Sequence, residues 1–160
     1  MTRRTRRTSL AEVQLDSEQV EQVVRGTRAF GGVIAGSLAS VDPPITMPQW
    51  RVLVLAEGEP QNVKGVAEDL GVHPSNATRL CDRLVRAGLL DRRPLEDDRR
   101  QVVLTLTTRG RKIVARVFAH RRRAVKEILA AMPEEQRAAV AKAIDAFVTA
   151  AEHVGHDQRD

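Results

Sequence analysis

A chain of 160 residues, 42% hydrophobic and 29% charged, falls in the ordinary soluble globular class and can bury a core without disulfide staples. Its net charge of +5 and sequence pI near 10.3 favour an anionic partner such as nucleic acid, although a basic and indifferent surface has the same composition. Aromatic residues at 2% and the lack of tyrosine argue against base stacking on aromatic platforms, a single cysteine excludes an intrachain disulfide or a cysteine-based zinc site, and no apolar run approaches the roughly 20 residues of a membrane span. The expected compartment is the cytoplasm, with no membrane partner.

Residues 1–15 carry Arg3, Arg4, Arg6 and Arg7 among threonines and read as a flexible basic arm, either a solvated tail or a phosphate contact. The arm lacks the apolar stretch of a secretory signal. A first helix is expected from Asp16, with Gln19 three residues on completing a capping box. Val20, Val23, Val24, Phe30, Val33, Ile34 and Leu38 recur at helical spacing, while Gly26, Gly31, Gly32 and Gly36 each weaken the helix by up to about 1 kcal/mol. Such a helix requires tertiary or partner packing. The run VDPPI ends it. A second helix starts with Pro48 in its first turn and runs to Gly58. A short helix follows at 63–70, then a turn at Gly71, then a longer helix from Pro74 to about Ala87, closed by Gly88. Strands are expected at 89–93 and 101–105. A long helix spans about Thr108 to Ala131, with Ile113, Val117, Ala124 and Ile128 at compatible spacing. Pro133 restarts the chain as a last helix to about Glu152, where Glu134 and Glu135 suit the positive helix end, and 153–160 read as a polar tail.

Two helices joined by a tight glycine turn and followed by a β-hairpin spell a winged helix-turn-helix, so the fold class is mainly α with a small β-wing. The second helix has two faces. Ala77, Leu80, Cys81, Leu84 and Val85 would pack inward, which makes Cys81 a small core residue rather than a redox sensor. Ser75, Asn76, Arg79, Arg83 and Arg86 form the opposite stripe, offering hydroxyl, amide and guanidinium groups that read base edges and bind phosphates of double-stranded DNA. The hairpin tip, PLEDDRR, places Arg99 and Arg100 where a wing enters the minor groove, with Asp98 beside them to hold a guanidinium in one rotamer. Glu96 and Asp97 would keep the tip soluble. The same loop also reads as a solvated, salt-bridged turn worth under about 1 kcal/mol. No Ser-His-Asp spacing, H-E-x-x-H, P-loop or GxGxxG occurs, so neither an enzyme nor a cofactor is expected, and Arg99 and Arg100 oppose any metal at the neighbouring acids.

The run from MPQWRVLVLAE through SNATRLCDRLVRAGLLDRR to DDRRQVVLTLTTRG resembles the MarR family of bacterial transcriptional regulators. The wing carries the resemblance most specifically, through Asp98, Arg100, Leu106–Thr107 and Gly110. Thr78 joins Ser75, Asn76, Arg79 and Arg83 among the polar places of the recognition helix, and His73 stands where the family often has a serine cap. The resemblance implies a homodimer in which 16–42 and 107–152 form a helical dimerisation region and 46–106 a winged helix-turn-helix domain. It implies a repressor bound to a pseudo-palindromic operator and released by a small aromatic acid or phenolic effector. Candidate effector contacts are Arg25, Arg28, Trp50 and His120, although Trp50 also reads as core and His120 as surface or interface. The HRRR run at 120–123 reads as a solvated face or a source of intersubunit salt bridges. The alternative reading is a weakly specific architectural DNA-binding protein.

Overall fold

Six helices and one two-stranded antiparallel sheet follow one another along residues 16–94 and 102–157, the residues that the computed structural model describes. The helices are α1 (Ser17–Ala39), α2 (Met47–Gly58), α3 (Val63–Leu70) and α4 (Pro74–Arg86) before the sheet, then α5 (Thr108–Ala130) and α6 (Glu134–Asp157) after it. The sheet pairs β1 (Leu90–Pro94) with β2 (Val102–Leu106) in the register Leu90 to Leu106. No helix among the described residues is long and apolar enough to cross a membrane.

Caps set most of these boundaries. Asp16 accepts from the backbone N–H of Glu18 at 3.0 Å, so it caps α1, but the expected reciprocal box with Gln19 is not what holds the end. The reciprocal box belongs to α2: Gln49 N–H donates to Thr46 Oγ1 at 3.4 Å, and Thr46 N–H donates to Gln49 Oε1 at 2.8 Å. Asn62 caps α3 by accepting from Gly65 N–H at 2.7 Å. Gly71, with φ of 66°, makes the left-handed turn into α4 that a side chain would strain. At the other end of α4, Gly88 N–H donates to Val85 O and Leu89 N–H to Leu84 O, a paired closure that consumes both residues. The strand therefore begins at Leu90, one residue later than expected, and β2 is shifted by one residue with it.

The core lies between α2, α3, α4, the sheet and the first half of α5. Val52, Leu53, Val66, Ala77, Cys81, Leu84, Val114 and Val117 are fully buried in it, and Leu38 and Val41 bring the end of α1 to its edge. Burying each leucine stabilises the fold by roughly 1.5–3 kcal/mol. One knot joins the hairpin to α5. Thr107 Oγ1 donates to Gly88 O at 2.7 Å and accepts from Gly110 N–H at 2.9 Å. A Cβ on Gly110 would stand 2.1 Å from Leu89 O, so only glycine admits this approach. The Leu106–Thr107…Gly110 signature is thus the stitch that fixes where the wing leaves the core.

The last helix is longer than the sequence suggested. It runs past Glu152 to Asp157, so most of the expected polar tail at 153–160 is helical. No proline intervenes, and a single glycine costs a helix only about 1 kcal/mol. Every side chain of α6 from Glu134 to Val154 is exposed.

Candidate nucleic-acid interface

The N-terminus of α4 is organised by His73. Its Nδ1 accepts from Ser75 N–H at 3.3 Å and lies 2.9 Å from Ser75 Oγ. The imidazole therefore fills the capping role expected of a serine. Pro74 occupies the first turn, where a missing N–H costs nothing. Beyond it the two faces separate as the sequence predicted. Ala77, Leu80, Cys81 and Leu84 are buried and Val85 is half-buried, whereas Ser75, Asn76, Thr78, Arg79, Arg83 and Arg86 are exposed. Thr78 Oγ1 donates back to Pro74 O at 2.9 Å, which leaves its methyl group and its oxygen lone pairs for an outside partner. Arg83 and Arg86 each donate Nε to a backbone carbonyl one turn earlier, at 3.3 Å, which holds their side chains along the helix. The last turn of α4 is where these cations oppose the negative helix end.

The wing is tied to this helix. Arg92 on β1 donates to the carboxylate of Asp82 on α4, and Arg93 pairs with Asp91 at 3.0 Å. Gln61, ahead of α3, adds a one-residue third strand: its N–H donates to Leu104 O at 3.0 Å and its carbonyl accepts from Leu104 N–H at 2.6 Å. A second brace joins α2 to α3, where Arg51 donates to Asp69 Oδ2 at 2.9 Å and to Asp69 O at 2.6 Å. Neither brace was visible in the sequence, since the partners stand 10 and 18 residues apart. Asp98, Arg99 and Arg100, with Glu96 and Asp97, lie outside the described residues.

Cys81 is fully buried beneath the polar stripe. Burial pushes its thiol pKa up, with Arg92 opposing and Asp82 reinforcing the rise, so the thiol is protonated and unreactive at neutral pH. That accords with its reading as a core residue.

The four candidate effector contacts differ in burial. Trp50 is buried and packs edge-on against Phe118, with ring centroids 5.1 Å apart. His120 is half-buried beside Gly36. Arg25 and Arg28 are exposed on α1, two to three turns before Gly36. The cation that does reach Trp50 is Arg121, from the HRRR run expected to be solvated. Its guanidinium stacks 4.5 Å from the Trp50 ring centroid, and its Nε donates to Ser37 Oγ at 2.8 Å. Desolvation lowers the Arg121 pKa from its ordinary value without discharging it. Nη2 of Arg121 and Nδ1 of His120 are buried and make no hydrogen bond to the described residues. Four consecutive basic residues concealed this one, because only the helix phase on α5 against α1 and α2 selects which of them turns inward.

Comparison with known proteins agrees with this geometry. Residues 45–102 match the sequence profile of the MarR family. The chain is 33% identical over 110 residues to YfiV of Bacillus subtilis, an uncharacterised HTH-type transcriptional regulator, covering 68% of this chain and 69% of that one. The crystal structure of RV1404 from Mycobacterium tuberculosis superposes with a TM-score of 0.76 at 37% identity, covering 87% of this chain and 97% of that one. Streptococcus pneumoniae FabT, crystallised in complex with DNA, shares the fold with a TM-score of 0.67 at 23% identity, covering 87% of this chain and 99% of that one. With a helix-turn-helix, a hairpin stitched behind it and relatives that match over most of their length, the chain belongs to the MarR family of winged helix-turn-helix transcriptional regulators.

Proposed function

We propose that the protein is a homodimeric, sequence-specific repressor that binds a pseudo-palindromic operator in double-stranded DNA. The exposed stripe of α4 carries this reading. Ser75, Asn76, Thr78 and Arg79 stand at the half of the helix that inserts into a major groove, and Arg83 and Arg86 follow where phosphates pass. Arg99 and Arg100 of the wing enter the adjacent minor groove, with Asp98 orienting a guanidinium. FabT, of the same fold, was crystallised on DNA, which supports the docking mode.

Exposed apolar side chains support the dimer. Val140, Ile144, Phe147, Val148 and Val154 form a stripe along α6, and Val20, Val23, Val24 and Phe30 form another on α1. A groove of about 280 Å³ between α1, α5 and α6 is lined by Phe30, Val33, Ile128, Leu129, Val140 and Ile144. A solvent-exposed apolar surface of this extent marks an association face. A second copy covering it sets two recognition helices about one turn of DNA apart.

We also propose release by a small aromatic acid, with the Arg121 cluster as its contact. A carboxylate would accept from Arg121 Nη2, which makes no hydrogen bond to the described residues, while its ring packs near Trp50 and His120. Arg121 joins Arg25 and Arg28 as a candidate cationic contact.

A footprint on the promoter adjacent to the protein's own gene tests the central reading. Protection of an inverted repeat, and loss of protection on a scrambled duplex at near-physiological salt, is the expected result. Equal affinity for both duplexes would favour the architectural alternative. For the effector, benzoate should quench Trp50, the single tryptophan, and release the operator from the parent but not from Arg121→Ala.

A further inference from the structure

We infer that His73 sets the hydrogen-bonding polarity of the Ser75 hydroxyl and thereby restricts which base that serine accepts. The inference rests on the proposed reading of α4 as the major-groove helix. Ser75 N–H points at His73 Nδ1 at 3.3 Å. An N–H approaches that nitrogen when it carries a lone pair, which assigns the ring proton to Nε2. The same Nδ1 lies 2.9 Å from Ser75 Oγ. In that tautomer Nδ1 has no proton to give, and its one lone pair is shared between the Ser75 N–H and the Ser75 hydroxyl proton.

The consequence is chemical. A free serine hydroxyl rotates, donating to guanine N7 or O6 or to thymine O4, or accepting from adenine N6 or cytosine N4. A hydroxyl whose proton is committed to His73 has only lone pairs left. It then accepts from the amino groups of adenine and cytosine, and it repels the acceptors of guanine and thymine. Ser75 is exposed at the start of α4, two residues from the cap, so its outward lone pairs face whatever α4 docks against. A cap of ordinary serine type holds the helix end without this constraint. His73 is thus a positioning residue that acts through Ser75.

Selection from a library of duplexes with a randomised central segment tests the assignment. The variants are S75A, H73A, H73N and H73Q. Asparagine can place Oδ1 where Nδ1 stands and is itself a good cap, whereas glutamine carries its acceptor further out. The wild type should favour adenine or cytosine at one position per half-site, by about fivefold for a single net hydrogen bond. S75A should erase that preference. H73A and H73Q should erase it by admitting guanine and thymine, and H73N should retain it. A purely structural cap would lower affinity uniformly over all four bases and leave the ratio unchanged. Thermal melting run beside the selection separates the two, and the comparison of H73N with H73Q carries the test where H73A does not fold.

Equal selectivity of H73N and H73Q would overturn the inference, as would a wild-type preference for guanine or thymine at the position S75A alters. If S75A changes no position while Arg79→Ala does, the inference fails and α4 remains the groove helix. If no duplex is enriched over the starting library, the reading of α4 fails with it.

Discussion

Arg121 shows how far a single residue's role depends on its neighbours. Its side chain is held on three sides, by Trp50, Phe118 and Ser37. A partly desolvated cation over a tryptophan ring is worth about 1–2 kcal/mol, and a hydrogen bond from a charged donor about as much. Arg121→Ala should therefore lower unfolding stability by about 2 kcal/mol and shift Trp50 emission, both read in one urea titration. Arg121→Lys should recover little, because an ammonium cannot stack flat on the ring. Gly110 makes the opposite case, in which the smallest residue is required. Gly110→Ala would force a methyl against the Leu89 carbonyl, and overpacking of this kind costs about 1–3 kcal/mol. A fall in melting temperature with recovery of neither wing nor α5 packing is the expected signature. Cys81 adds a pH dependence. Its pKa is raised in the fold by burial, so the folded chain holds the thiol proton that the unfolded chain releases. Stability from this source is complete below the ordinary thiol range and declines as pH rises through the raised folded value. At neutral pH a thiol-specific disulfide reagent should label Cys81 only as fast as the chain opens; rapid labelling of the native protein would contradict that burial.

Between elements, the decisive contacts are the braces. Asp82 and Arg92 connect the recognition helix to the wing strand, and both are about 40% exposed. A pair in that environment contributes under about 1 kcal/mol to stability. On the proposed docking mode its effect should appear instead in DNA binding, because the angle between helix and wing would decide whether both grooves are reached together. Asp82→Ala and Arg92→Ala should each weaken operator binding several-fold with little change in melting temperature. The charge-swapped double variant should regain part of the loss in a gel-shift titration. Independent losses that simply add would show that the pair does not couple the two elements. The wing itself carries a related prediction from sequence. Asp98→Ala should weaken DNA binding although it removes a negative charge, whereas phosphate repulsion alone predicts tighter binding.

At the level of the whole molecule, α6 has too little contact with its own chain to hold its place. All its side chains through Val154 are exposed, and its apolar stripe faces outward with that of α1. Helices without tertiary contact are marginal in water, and the proposed second copy would supply the missing packing. Phe147→Asp together with Ile144→Asp should convert the protein to monomer in sedimentation velocity and abolish operator binding, while leaving the core around Leu53 and Leu84 folded. An unchanged sedimentation coefficient would exclude α6 from the interface.

Local structure was legible in the chain alone. Capping residues, glycines at left-handed turns and the period of apolar residues placed every helix start to within a residue or so, because those signals act between neighbours in the chain. The polar and apolar faces of α4 were legible for the same reason: one helix period fixes both. The sequence could not show which of the basic residues at 120–123 turns inward, or that Asp82 would find Arg92. It offered Arg25 and Arg28 as effector contacts, and both stand exposed on α1. Those outcomes depend on how helices are phased and spaced against one another, and contacts between residues 10 to 84 positions apart leave no periodic trace in the chain. Tertiary packing alone decides them.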